Sequence, residues 1–120
     1  MKKLEEEAKR FMQLHNKSMI TANEYQEKCK STAIYPKRDA IAYLSLGLVS
    51  EAGEVAGKVK KLIRDGTQSD VASEIGDVLW YCAVLADDLG QSLSEIANRN
   101  LEKLANRQKL GKLHGSGDKR

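Results

Sequence analysis

The sequence predicts an all-α protein, an antiparallel bundle of four to five helices that forms oligomers. Three observations lead there. Only six residues of 120 are aromatic (four Tyr, one Trp, one Phe) and the β-branched residues are scattered, so little material exists for a half-buried sheet. Hydrophobic residues make up 41% and charged residues 31%, too apolar a mixture for a disordered chain. Capping signals recur ahead of segments whose apolar residues return at helical spacing. The length suits one domain with one core.

Each element has its own signal. Residues 3 to 15 read as a helix, with Leu4, Ala8, Phe11, Met12 and Leu14 as its apolar contacts. Thr21-Ala22-Asn23-Glu24 is a capping box that opens a short helix through about Lys30. Ser31 to Arg38 contains the single proline, Pro36, and reads as a connector. Asp39 then caps a long helix reaching about Arg64, which Gly66 ends in the left-handed conformation. Thr67-Gln68-Ser69-Asp70 is a second capping box, and the helix behind it runs to about Leu89, where Gly90 stops it. Ser92-Leu93-Ser94-Glu95 opens a last helix to about Arg107. The domain plan is therefore a helical extension (1–18), a helical domain (19–107) and a Gly-containing basic tail (108–120).

Several classes fall away. Twenty Lys and Arg against 17 Asp and Glu give a net charge of +3, which matters only through its concentration at the C-terminal end. Cys29 and Cys82 match no zinc or redox spacing and read as reduced, packed thiols of an intracellular, cytoplasmic protein. The N-terminus has no apolar signal region, and the longest apolar run, Val78 to Ala86, is too short to span a bilayer.

The acids of the two central helices carry the chemistry. At about 100° per residue, Ile41, Leu44, Leu48, Ala52, Val55, Val59, Leu62 and Ile63 form one apolar stripe. Glu51 and Glu54 lie on its flank. On the next helix Val71, Ile75, Val78, Cys82, Leu85 and Leu89 form the stripe, with Glu74 and Asp77 on a flank of the same rotational sense. The short turn between the helices makes them antiparallel, so both acidic pairs emerge on one side. Register along the axis is left open by this geometry. Four converging carboxylates need a cation, and an all-oxygen set favours a hard divalent ion, Mg²⁺ or Mn²⁺. A di-iron bundle site is excluded, because it needs Glu-x-x-His pairs and His15 and His114 lie far from the acids.

Glu51-Ala52-Gly53-Glu54, followed about twenty residues on by Glu74-Ile75-Gly76-Asp77, resembles the E-x-x-E…E-x-x-D signature of MazG-like nucleoside triphosphate pyrophosphohydrolases. These belong to the all-α NTP pyrophosphatases. Asn100-Leu101-Glu102-Lys103-Leu104 with Arg107 resembles that family's closing N-x-x-K-x-x-x-R element, and the likeness extends over residues 22 to 120. The resemblance implies Mg²⁺ held by Glu51, Glu54, Glu74 and Asp77, and attack of water at the α-phosphorus to give a monophosphate and pyrophosphate. Which acid accepts the water's proton stays open. It also implies that Asn100, Lys103 and Arg107, with Tyr81, meet the phosphates. Lys58, on the same flank as Glu54, is placed either to pair with the acids or to meet phosphates. Tyr25 and Gln26 are weak candidates for a base pocket. Ser73 stands where many members carry a further acid, which leaves a second metal ion short of a ligand.

Val78 to Ala86 is apolar around most of the helix, more than one neighbour needs, which points to a homodimer or dimer-of-dimers tetramer with Trp80 as an interface anchor. A runner-up is a non-catalytic helical module binding nucleotide or nucleic acid through Lys103, Arg107, Lys109, Lys112, Lys119 and Arg120. It leaves the acidic pairs without a purpose. The tail from Gly115 to Arg120 can alternatively fold over a triphosphate as a lid.

Overall fold

A computed structural model describes residues 1–16, 19–66 and 70–115, without the side chains of 14–16. Five α-helices account for most of these residues, and no strand is present among them: α1 (Lys2–Asn16), α2 (Ala22–Cys29), α3 (Ala40–Asp65), α4 (Val71–Asp88) and α5 (Leu93–Lys109). Among the described residues no helix is long and apolar enough to cross a membrane.

The helix ends follow local chemistry. Thr21 caps α2 by accepting the Glu24 N–H at 3.1 Å, and Ser92 caps α5 by accepting that of Glu95 at 3.3 Å. Gly66 and Gly90 adopt φ values of 65° and 70° and close α3 and α4. Two expected caps differ. Asp39 stands at the start of α3, but its side chain makes no capping bond. The chain enters α3 from a 3-10 turn, Lys37–Asp39, whose Lys37 carbonyl already takes the Ala40 N–H. At α4, Thr67, Gln68 and Ser69 lie outside the described residues, and the cap is Asp70, which accepts the Ser73 N–H at 3.0 Å.

The packed pairs are α3 with α4, α2 with α4, α2 with α5 and α4 with α5. Among the described residues helix α1 takes part in none of these pairs, and the packed bundle is built from α2 to α5. Leu44, Ala83, Val84 and Cys29 are its buried centre, with Tyr25, Tyr35, Trp80 and Tyr81 packed against them. Gln26 locks α2 in place: its Nε2 donates to the carbonyls of Ala83 (3.1 Å) and Gln91 (2.9 Å), and its Oε1 accepts the Leu93 N–H (3.1 Å). That amide satisfies the Gln91 carbonyl and the Leu93 N–H between α4 and α5, groups that would otherwise be costly to bury, and adds a bond to the Ala83 carbonyl within α4. Trp80, expected at an oligomer interface, is half-buried and packs against the core of its own chain. Its Nε1 donates to Thr32 Oγ1 at 2.8 Å, because the 3-10 turn Lys30–Thr32 folds back over α4.

The radius of gyration is 18.0 Å, against about 14 Å for a compact chain of this length. Large apolar side chains remain outside. On α3, Leu46, Val49 and Ile63 share one outward face with Ala56, and Ile63 is 80% exposed.

Candidate functional site

The acidic site sits in the middle of the α3–α4 pair. Carboxylate oxygens of Glu51, Glu74 and Asp77 lie within 4.8 Å of one another. Glu51 and Glu74 are half-buried and Asp77 is exposed. Glu54, the fourth expected member, is exposed and outside the trio. Three residues on from Glu51, it is rotated about 60° further around α3 and away from the apolar stripe. All-oxygen donors at this spacing fit a hard divalent cation.

The electrostatics agree with crowding of like charges. Desolvation, and then the charges of Asp77, Glu74 and Glu54, raise the pKa of Glu51 above its ordinary value. One cation reaches into the cluster. Lys58 extends from α3 to Glu74 Oε1 at 2.9 Å, and its Nζ also donates to the Asp70 carbonyl at 3.3 Å. The hydrogen bond to Glu74 raises the Lys58 pKa and keeps the ammonium charged.

Tyr81 lies beside the acids. Its hydroxyl pKa is raised by burial first, then by Tyr43, Glu51 and Asp77. A Cβ at position 47 would run into the Tyr81 ring, so Gly47 makes room for this side chain on α3. Tyr81 also meets Trp80 edge-on, with ring centroids 4.9 Å apart.

The remaining candidates do not form one patch. Asn100 and Lys103 line an open groove of about 410 Å³ with Gln91, Ile96 and Arg99. Arg99, which the sequence pattern did not single out, is fixed by donating to Gln91 Oε1 at 2.7 Å. Arg107, one turn beyond Lys103, is only 5% exposed and so does not share that groove. Helix α5 packs on α2 and α4, α3 is not among its packed neighbours in the described residues, and none of the acids lines the groove.

Tyr25 packs against the core, where burial and then the Cys29 thiol push its pKa up to about 12. Gln26 lines a partly enclosed cavity of about 320 Å³ with Lys30, Ala33, Tyr35, Lys37, Val84 and Asp87, although its amide is committed to backbone. Tyr35 stacks on Tyr43 at 6.0 Å, and the Lys37 ammonium lies 4.0 Å from the Tyr35 ring centroid. The sequence pattern gave no sign of this aromatic wall, because its rings come from a connector and the start of α3. Of the tail proposed as a lid, residues 116 to 120 lie outside the described residues.

Comparison with known proteins bears on the same region. No solved structure matches the chain. A curated relative, the Gene 37 protein of Mycobacterium phage L5, is 43% identical over 109 residues, which take in 80% of this chain and 96% of the relative. The family model described as the MazG nucleotide pyrophosphohydrolase domain matches residues 40–111, from the start of α3 to just past the end of α5. With its acidic trio carried on the two helices that open this match, the chain belongs to the MazG nucleotide pyrophosphohydrolase domain family.

Proposed function

We propose that the chain is a Mg²⁺-dependent nucleoside triphosphate pyrophosphohydrolase that converts (d)NTP to (d)NMP and pyrophosphate and so cleanses the nucleotide pool. Mn²⁺ is the expected substitute ion. The observation that carries the reading is the trio of carboxylates within 4.8 Å on neighbouring helices of a MazG domain. When bound, the ion supplies neutralisation of the triphosphate and orientation of the attacking water.

The chain's own residues divide the remaining work. Glu51, Glu74 and Asp77 are assigned as ligands. Glu54, exposed and outside the trio, is assigned as the proton acceptor for the water. The Tyr81 hydroxyl, held beside the acids by its fit against Gly47, is assigned to a phosphate oxygen. Asn100, Lys103 and Arg99 provide donors for the rest of the triphosphate. Arg107, being buried, is left out of that set. The nucleoside is assigned to the cavity lined by Gln26, Tyr35 and Lys37.

This reading needs more than one copy. Among the described residues α5 is not packed on α3, and in this reading the basic groove meets the acids across a homodimer or a dimer-of-dimers tetramer. The outward apolar face of α3, including a groove of about 540 Å³ lined by Ala56, Val59 and Ile63, supports such an assembly. Light scattering on a sizing column is expected to give a dimer or tetramer, and a fully active monomer would overturn this part.

The reaction itself is tested by incubating the protein with each nucleotide and Mg²⁺. Equal amounts of monophosphate and pyrophosphate are expected, and none with a chelator present. Orthophosphate with a diphosphate product would overturn the assignment. Strongly salt-sensitive nucleic-acid binding without hydrolysis would favour the binding-module alternative.

A further inference from the structure

Lys58 does more in this structure than lie near the acids. Its ammonium crosses from α3 to α4 and is held at two points: Glu74 Oε1 at 2.9 Å and the carbonyl of Asp70 at 3.3 Å. Asp70 is the residue that caps α4, so the lysine is fastened to the helix start as well as to the acid. The Lys58 and Glu74 side chains are 30% and 15% exposed, shielded enough that the geometry is not that of a freely solvated surface pair. Glu74 is also one of the three carboxylates gathered within 4.8 Å. Like charges at such spacing repel strongly unless a cation stands among them.

We propose that Lys58 is the internal counter-ion of the acidic site: it keeps Glu74 in place in the metal-free protein, and a divalent cation must take that carboxylate from it. The role rests on reading Glu51, Glu74 and Asp77 as the metal ligands, and it differs from a direct contact between Lys58 and substrate phosphate. Two consequences are opposed in sign. Removing the ammonium leaves the crowded acids uncompensated, so the metal-free protein loses stability. The same removal frees Glu74, so a divalent ion binds more tightly.

The test is a titration of Mn²⁺ alone, without nucleotide, followed by electron paramagnetic resonance. Lys58→Met is expected to bind Mn²⁺ roughly three- to tenfold more tightly than the wild type, the scale of one competing partly shielded ion pair. It should also melt at a lower temperature without metal and gain more from adding it. Lys58→Arg should stay near the wild type in both respects. Unchanged or weaker Mn²⁺ binding by a folded Lys58→Met overturns the proposal. So does a rise in nucleotide KM with Mn²⁺ affinity unaltered, which would make Lys58 a phosphate ligand.

A wild-type measurement covers a variant that fails to fold. The Lys58 ammonium resonance in nitrogen-detected NMR should shift along the Mg²⁺ binding curve, and a resonance unmoved at saturation overturns the role. Glu51→Gln separates the two layers of the argument. If it abolishes Mn²⁺ binding while Lys58→Met changes nothing, only the counter-ion fails. A wild-type protein that binds no Mn²⁺ sinks both.

Discussion

The two halves of the α3–α4 pair are built differently. Where Leu44 of α3 meets Ala83 and Val84 of α4, helix α2 covers the pair and Cys29 completes a buried centre. Towards the turn the pair is open: none of the described residues from 45 to 82 is buried. Yet this open half carries Glu51, Glu74, Asp77 and Lys58. Stability and chemistry are thus drawn from different stretches of one helical hairpin. The covered end is fixed by close packing, while the charged half keeps solvent access and an exposed outer apolar face.

Truncation at the two ends should separate them most sharply. Leu44 is fully buried, and Leu44→Ala is expected to cost about 3 kcal/mol. Leu62→Ala, at a half-open position near the turn, should cost less than about 1 kcal/mol in the isolated chain. Denaturant melts of both variants test this, and equal losses would show that the open half is packed in solution.

The reverse pattern is expected for activity. Glu51→Gln should lower pyrophosphate release about 100-fold or more, since losing a ligand costs at least as much as losing a group that orients one. Its metal-free melting temperature should not fall, because the substitution removes one of the crowded charges. A loss of stability together with activity would mean that Glu51 is mainly structural.

Gly47 lies at the boundary and should show both effects. Gly47→Ala places a methyl group against the Tyr81 ring, an overpacking cost of roughly 1–3 kcal/mol. If Tyr81 serves a phosphate, kcat should drop as well, whereas Tyr81→Phe should reduce kcat with little change in melting temperature.

The smallest expected effect is that of pH. The raised Glu51 pKa means that the folded chain binds this proton more tightly than the unfolded one. Its contribution to stability is therefore fully present below the ordinary value of 4.5 and is lost as pH rises through the higher folded value. Metal-free melts of wild type and Glu51→Gln should diverge across that window. Identical profiles for the two proteins would remove Glu51 from the coupled cluster.

Much of the architecture is legible in short stretches of sequence. Thr21, Ser92, Gly66 and Gly90 mark helix boundaries through bonds made within a few residues, so local spacing suffices to find them. The two acidic pairs were legible for the same reason: helical periodicity sets which side of each helix they share. Tertiary structure decided what depends on distance across the chain. It set the register of α3 against α4, which gathers Glu51 with Glu74 and Asp77 and leaves Glu54 outside. It brought Lys58 to Glu74 over 16 residues of sequence, committed Gln26 to the α4–α5 junction and set the Trp80 indole against Thr32. Periodicity fixes rotation about one helix axis, whereas these contacts depend on translation along a neighbouring helix and on how a connector folds back.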